Sequence, residues 1–356
     1  TIDTTAPTAP TVTSLTTNDT TPTISGTATV GSGETLKVVV SGATYTVTPS
    51  GGNWTLNLET ATPSSGTLTA LTTGNSYNVT ATVTDAAGNA TSDSTSGELT
   101  IDTTAPTAPT VTSLTTNDTT PTISGTATVG SGETLKVVVS GATYTVTPSG
   151  GNWTLNLETA TPSSGTLTAL TTGNSYNVTA TVTDAAGNAT SDSTSGELTI
   201  DTTAPTAPTV TSLTTNDTTP TISGTATVGS GETLKVVVSG ATYTVTPSGG
   251  NWTLNLETAT PSSGTLTALT NGNSYNVTAT VTDAAGNATS DSTSGELTID
   301  TTAPTAPTVT SLTTNDTTPT ISGTATVGSG ETLKVVVSGA TYTVTPSGGN
   351  WTLNLE

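Results

Sequence analysis

The chain has no cysteine, histidine, methionine or phenylalanine, and its only basic residues are four lysines. Without cysteine there can be no disulfide framework and no thiolate-ligated zinc. With histidine also missing, the usual zinc, copper and haem chemistry has no ligands. Serine and threonine are plentiful, but no His, Cys or Arg is present to join them in a catalytic triad, so no enzymatic activity is expected. Four lysines face 25 acidic residues, a net charge of −21. No basic patch exists to neutralise phosphate, which argues against nucleic acid and anionic membrane as partners and favours divalent cations. No apolar run approaches the length that spans a bilayer, and no signal peptide opens the chain. The chain starts and stops within a repeat, which predicts that it is part of a longer protein whose targeting signals lie elsewhere.

The composition is rich in Thr, Ser and Gly, and only 30% of residues are hydrophobic. Its organisation is a repeat. The stretch Thr100-Ile-Asp-Thr-Thr-Ala-Pro-Thr-Ala-Pro109 recurs from Thr1, Thr199 and Thr298, a period of 99 residues. That length suits a self-contained small domain and not a solenoid unit. Three complete repeats follow, 1–99, 100–198 and 199–297, with a partial one, 298–356. The complete copies differ only at Asn271, where the first two have Thr73 and Thr172.

Within one repeat the apolar residues alternate, as half-buried strands require. Strand A is expected at 11–15. Strand B carries Ile24, Gly26, Ala28 and Val30 on one face, and strand C carries Leu36, Val38 and Val40. A hairpin at 41–44 leads to strand D with Tyr45 and Val47, and strand E has Trp54, Leu56 and Leu58. A Ser/Thr-rich connection anchored by Leu68 and Leu71 precedes strand F, with Tyr77, Val79, Ala81 and Val83. Strand G lies at 98–101. Nothing has helical periodicity. Seven short strands in about a hundred residues predict an all-β chain of tandem immunoglobulin-like β-sandwiches, set in a linear, monomeric rod.

Antiparallel topology then places the acids. The BC and FG loops share one pole of each repeat; the AB loop and the exit of strand G share the other. Each linker Asp leaves one repeat above the next repeat's FG loop. At the first joint Asp19, Asp102 and Asp184 are expected to converge; at the second, Asp118, Asp201 and Asp283. Asn188 and Asn287 add amide oxygens. Asp3 with Asp85, and Asp217 with Asp300, have incomplete surroundings at the two ends. A set of carboxylates, carbonyls and an amide offers only oxygen, which suits Ca2+, with Mg2+ second because it demands tighter geometry. Without a cation, three carboxylates in one crevice repel. Pro106 and Pro109 stiffen the linker.

Plainer readings apply to each residue alone. Asn18-Asp19 suits an ordinary turn, Asp85-Ala-Ala-Gly-Asn89 a hairpin, and Asp102 a solvated linker position. Glu34 and Asp93 read as solvated loop acids. Glu59 and Glu98 read as strand residues that keep edges soluble.

Thr82-Val-Thr-Asp-Ala-Ala-Gly-Asn89, followed by Ile101-Asp-Thr-Thr-Ala-Pro-Thr-Ala-Pro109, resembles the bacterial Ig-like repeats of giant RTX adhesins. These include biofilm adhesins and an ice adhesin. The resemblance implies an extender that holds an adhesive module away from the cell, with Ca2+ at the joints. It also implies Asp102 and Asp184 as ligands, with Asp118 in the role of Asp19 at the next joint. No Gly-Gly-x-Gly-x-Asp array is present, so an adhesive role belongs to the parent protein. The expectation is an extracellular rod, attached to the cell surface through other parts of that protein and rigidified by Ca2+ between neighbouring repeats. A glycan-binding module and a passive, metal-free spacer are the alternatives.

Overall fold

The computed structural model describes residues 2–356; Thr1, the first residue of the first linker copy, lies outside the described residues. Two compact units are present, Thr1–Thr203 with Ala284–Gly286, and Ala204–Asp283 with Asn287–Glu356. Every element among the described residues is a β-strand.

The first repeat contains β1 (Thr11–Val12), β2 (Leu15–Thr17), β3 (Thr23–Thr27), β4 (Thr35–Val40), β5 (Ala43–Val47) and β6 (Asn53–Asn57). It continues with β7 (Ser65–Gly66), β8 (Asn75–Tyr77), β9 (Val79–Thr84), β10 (Ala90–Ser92) and β11 (Leu99–Ile101). One sheet has the order β1-β3-β6, and a second has β10-β9-β4-β5-β7. A third short ribbon, β2-β11-β8, is parallel between β2 and β11. The period-2 patterns become the inner faces. Leu36, Val38 and Val40 meet Tyr45, Trp54, Leu56, Val79, Ala81 and Val83 in one buried cluster. Area burial of this kind is the main force holding such a sandwich together. The hairpin β4–β5 turns on Ser41 and Gly42, both at positive φ (47° and 88°). This is the pair of left-handed residues that a tight hairpin needs to follow the strand twist.

One glycine has a packing reason. A Cβ on Gly26 would lie 1.9 Å from the Thr11 carbonyl oxygen and 2.7 Å from the Trp54 ring. The bare backbone there lets Trp54 Nε1 donate to Thr11 O at 3.1 Å, joining β1 to the buried indole.

Two expectations are corrected. Strand A is not continuous: β1 pairs with β3, whereas β2 crosses to pair with β11, because a short polar Thr13-Ser14 step releases the chain from one sheet to the other. Glu98 does not stand on an exposed edge. It is 4% exposed, and its Oε2 accepts from Val79 N at 3.0 Å. The reason is that strand G is interrupted between β10 and β11, so Val79 N–H has no strand partner and the carboxylate takes that place.

The joint between the first and second repeats

The strand β11 ends at Ile101, and the linker leaves from it. Asp102 N donates to Thr17 O at 3.0 Å, which fastens the linker to the end of β2. The Asp102 carboxylate closes a local turn, accepting from Thr104 N at 2.9 Å. Its carbonyl oxygen points to the second repeat, where Asn188 Nδ2 donates to it at 2.7 Å.

Asn188 ends the loop between strands Val178–Thr183 and Ala189–Ser191. This loop is built around Asp184. Asn188 N donates to Asp184 Oδ1 and Asn188 Nδ2 to Asp184 Oδ2, both at 2.8 Å. Gly187, at φ 92°, turns the chain so that this clasp can form. One amide group therefore spans two oxygens, the linker carbonyl of one repeat's exit and the loop carboxylate of the next repeat. Burial raises the Asp184 pKa, but the hydrogen bonds from Asn188 and from the Ala186 and Gly187 N–H groups outweigh it and hold the carboxyl below its ordinary value.

A second link comes from the first repeat's loop between β2 and β3. Asn18 N donates to Ala186 O at 3.1 Å. Ala186 is buried here, whereas its counterpart in the first repeat, Ala87, is exposed. The same link recurs within the first unit from Asn117 N to Ala285 O, also at 3.1 Å.

The predicted acids are thus placed as follows. Asp102 and Asp184 are brought together through Asn188. Asp19 closes its own turn, accepting from Thr21 N at 2.8 Å, and its neighbour Asn18 is the residue that reaches the next repeat. Asp118 repeats this turn on Thr120, and Asp217 on Thr219. Asp201 N bonds Thr116 O and Asp300 N bonds Thr215 O, each at 2.9 Å. In the second unit Asn287 clasps Asp283 as Asn188 clasps Asp184, with both bonds at 2.8 Å.

At the first repeat's own pole, Asn89 Nδ2 bridges Asp3 O and Asp85 Oδ2 at 3.1 and 2.8 Å. The Asn89 side chain, with backbone N–H donors, holds the Asp85 pKa down against slight desolvation. Asp3 and Asp85 line an open cleft together with Glu34. Glu34 Oε2 accepts from Gly31 N at 2.7 Å, an exposed bond that closes its own loop beside the cleft. The signal was available, since a Gly-Ser-Gly-Glu loop at this pole offers a backbone donor three residues before its acid.

As donors, the joint supplies a carbonyl oxygen and a carboxylate in one place, and both are hard oxygen ligands that suit Ca2+. Among the described residues no three acidic side chains are gathered closely enough to hold an ion. No helix among the described residues is long and apolar enough to cross a membrane.

The profile of the bacterial Ig-like domain family matches three segments, residues 6–103, 110–202 and 209–301. No curated protein matches the chain. Several solved structures are similar at low identity. One is from a study of host cell surface retention of a 1.5-MDa bacterial ice-binding adhesin, at 20% identity, with 82% of this chain and 98% of that one covered and a TM-score of 0.30. Another is the Drosophila OTK extracellular domains 3–5, at 8% identity, 83% and 97% coverage and 0.25. A third is the human Desmocollin-1 ectodomain, at 12% identity, 99% and 72% coverage and 0.23.

Proposed function

This chain belongs to the bacterial Ig-like domain family, and from that premise we propose that it is an extender segment of a secreted, surface-attached bacterial adhesin, stiffened by Ca2+ at the joints between repeats. The observation that carries this reading is that the first joint brings two hard oxygens from neighbouring repeats to one point. Asn188 Nδ2 ties the Asp102 carbonyl oxygen to the Asp184 carboxylate, while Asn18 N holds Ala186 O. A linker tied on both sides loses bending freedom, which is what a spacer between a cell and a distant adhesive module requires.

The residues that would hold Ca2+ at this joint are Asp102, through its carbonyl oxygen, and Asp184, through its carboxylate. A bound cation supplies positive charge to a joint whose only ionised groups are carboxylates. The chain's own part is to hold Asp184 ionised and to present the linker oxygen to it.

A passive spacer without metal is the second reading. The direct hydrogen bonds across the joint favour it, because they need no ion. Glycan binding has less to stand on, since Trp54 is 1% exposed and offers no stacking face. Catalysis forms no part of the reading, and the family is one of structural repeats.

Small-angle scattering of the chain in Ca2+ and then in chelator tests the proposal. Stiffening by Ca2+ predicts a larger spread of end-to-end dimensions after chelation. It also predicts that Asp184→Asn behaves in Ca2+ as the chelated chain does. Identical scattering in both conditions rejects the Ca2+ reading and leaves the passive spacer. Titration calorimetry of Ca2+ into the same two proteins measures the site directly.

A further inference from the structure

Strand G is broken in each complete repeat. After β10 the chain bulges away from β9 over six residues, Asp93-Ser-Thr-Ser-Gly-Glu98, before β11 resumes pairing with β8. The bulge is fastened at both ends: Asp93 N donates to Ala81 O at 2.9 Å, and Gly97 N to Asn78 Oδ1 at 2.8 Å. The Glu98 carboxylate is folded underneath it.

Only one of the two Glu98 oxygens is accounted for. Oε2 accepts from Val79 N, but Oε1 is buried and has no hydrogen-bond partner. Glu197 and Glu296 share this, as their near-identical sequences require. An orphaned carboxylate oxygen, shut off from water, is costly, and such a group calls for a partner that is not protein. Burial pushes the Glu98 pKa up, and hydrogen bonding, Val79 N–H included, brings it below its ordinary value.

The surroundings make the deficit worse. The charge that acts on Glu98 is that of Asp93, of the same sign. Thr95 lies against both carboxylates, but it has a single hydroxyl hydrogen, and its hydroxyl donates to Asp93 Oδ2. That one hydroxyl is spent on Asp93, whose Oδ2 also accepts from Thr95 N at 3.2 Å, which leaves Glu98 Oε1 without a donor. Asp93 is half-buried, and Ser94, Thr95 and Ser96 are exposed, so the site has a buried floor and a hydrated rim.

We propose that the strand G bulge of each complete repeat is a divalent cation site, with Glu98 Oε1 as its buried ligand and Asp93 and the Thr95 hydroxyl oxygen completing the protein share. The equivalents are Asp192, Thr194 and Glu197, and Asp291, Thr293 and Glu296. All the ligands are oxygen, and water on the open side fills the remaining positions, which suits Ca2+, whose coordination is large and flexible. This site lies inside a repeat and is independent of the joint. Its consequence is to fix the edge strand, because an ion on Glu98 and Asp93 pins the bulge to the start of β11.

The test is the Ca2+ content of the 356-residue chain, measured by equilibrium dialysis with Ca2+ alone as the probe. The wild type is compared with the combined Glu98→Gln, Glu197→Gln and Glu296→Gln variant. Glutamine keeps an acceptor for Val79 N and removes the charge. The variant should bind three fewer ions per chain, one for each orphaned oxygen. Asp184→Asn should leave those three in place whether or not the joint binds Ca2+, so the two proposals fail separately. Equal Ca2+ content in wild type and the Gln variant overturns the site. Should the Gln variant not fold, the Asp93→Asn, Asp192→Asn and Asp291→Asn set at the half-exposed wall decides it: unchanged Ca2+ content there rejects the proposal, and loss of three ions supports it.

Discussion

The first and fourth repeats carry the same residues through strand E, yet the same letters take different structures. Leu15–Thr17 is a strand because it pairs in parallel with β11, and the equivalent stretches of the next two repeats, Leu114–Thr116 and Leu213–Thr215, do likewise. The fourth copy, Leu312–Thr314, is in no strand, and Leu312 is 52% exposed. Thr35–Val40 shortens to Leu333–Val337, and Val336 is 65% exposed against 39% for Val39. Yet Trp351 stays buried, still donating to the Thr308 carbonyl as Trp54 does to Thr11. The antiparallel ribbon Thr308–Val309, Thr320–Thr324 and Asn350–Asn354 therefore forms from its own residues. The β2 segment takes its structure from a partner far along the chain. Strand preference is a matter of context, and here it changes with sequence held constant.

The largest expected effect comes from removing the indole on each side of this comparison. Trp153→Ala, in a complete repeat, empties a site packed among Ile123, Leu135, Val137, Tyr144 and Leu155. It should cost about 3–5 kcal/mol, the usual range for a buried aromatic cut to alanine. Trp351→Ala acts on a cluster whose other buried members are Ala325, Leu333, Val335 and Val344. It should cost clearly less, since fewer buried neighbours lose contacts. Urea unfolding of both variants, followed by circular dichroism, separates the two. Equal losses would show that the fourth copy has the packing of a complete repeat after all.

Acid should divide the repeats next. The Glu98, Glu197 and Glu296 carboxyls sit below their ordinary value of 4.5, and the fourth repeat has no counterpart. A lowered folded-state pKa means that the ionised group stabilises the fold. That contribution is complete above the unfolded-state value and is lost as pH falls through the folded-state value beneath it. Complete repeats should therefore weaken below about pH 4 while the fourth copy changes little by this route. Fluorine NMR of fluorotryptophan-labelled protein can follow both at once, because Trp351 sits in a cluster unlike that around Trp54, Trp153 and Trp252. Simultaneous loss of all four signals in an acid titration would remove the carboxylates as the cause.

Much of this was legible before any coordinates. The alternation Trp54, Leu56, Leu58 and Val79, Ala81, Val83 has the period of a strand, and every one of those side chains is buried. The pole assignment followed from antiparallel order alone, and it put Asp102 beside the loop of Asp184. Two things were hidden. A carboxylate such as Glu98, next to the apolar Leu99, looks like an edge residue until the bulge of 93–98 is seen to leave Val79 N–H without a strand partner. Asp19 looked more important than Asn18 because it is charged, but the contact is made by a backbone N–H, which every non-proline residue has. Backbone contacts leave no mark in composition.

The smallest effect belongs to the clasp, and it sharpens a second contrast, between the Asn188 loop of the second repeat and the Asn89 loop of the first. Asn188 Nδ2 bonds Asp102 O and Asp184 Oδ2, and Asn89 Nδ2 makes the matching pair with Asp3 and Asp85. Only the loop of Asn188 also receives Asn18 N. Asn188→Ala should weaken the first joint by about 0.5–1.5 kcal/mol, the net worth of a hydrogen bond. Opening of the 103–109 linker would then rise by about 2- to 10-fold, since cleavage by a dilute protease follows the population of the open form. Limited proteolysis by a broad-specificity protease, with cleavage sites mapped by mass spectrometry, measures this. Asn89→Ala should leave cleavage at 103–109 unchanged, because its bonds hold the segment at Asp3. If both variants nick that linker equally, the clasp stabilises the loop within its own repeat and contributes nothing to the joint.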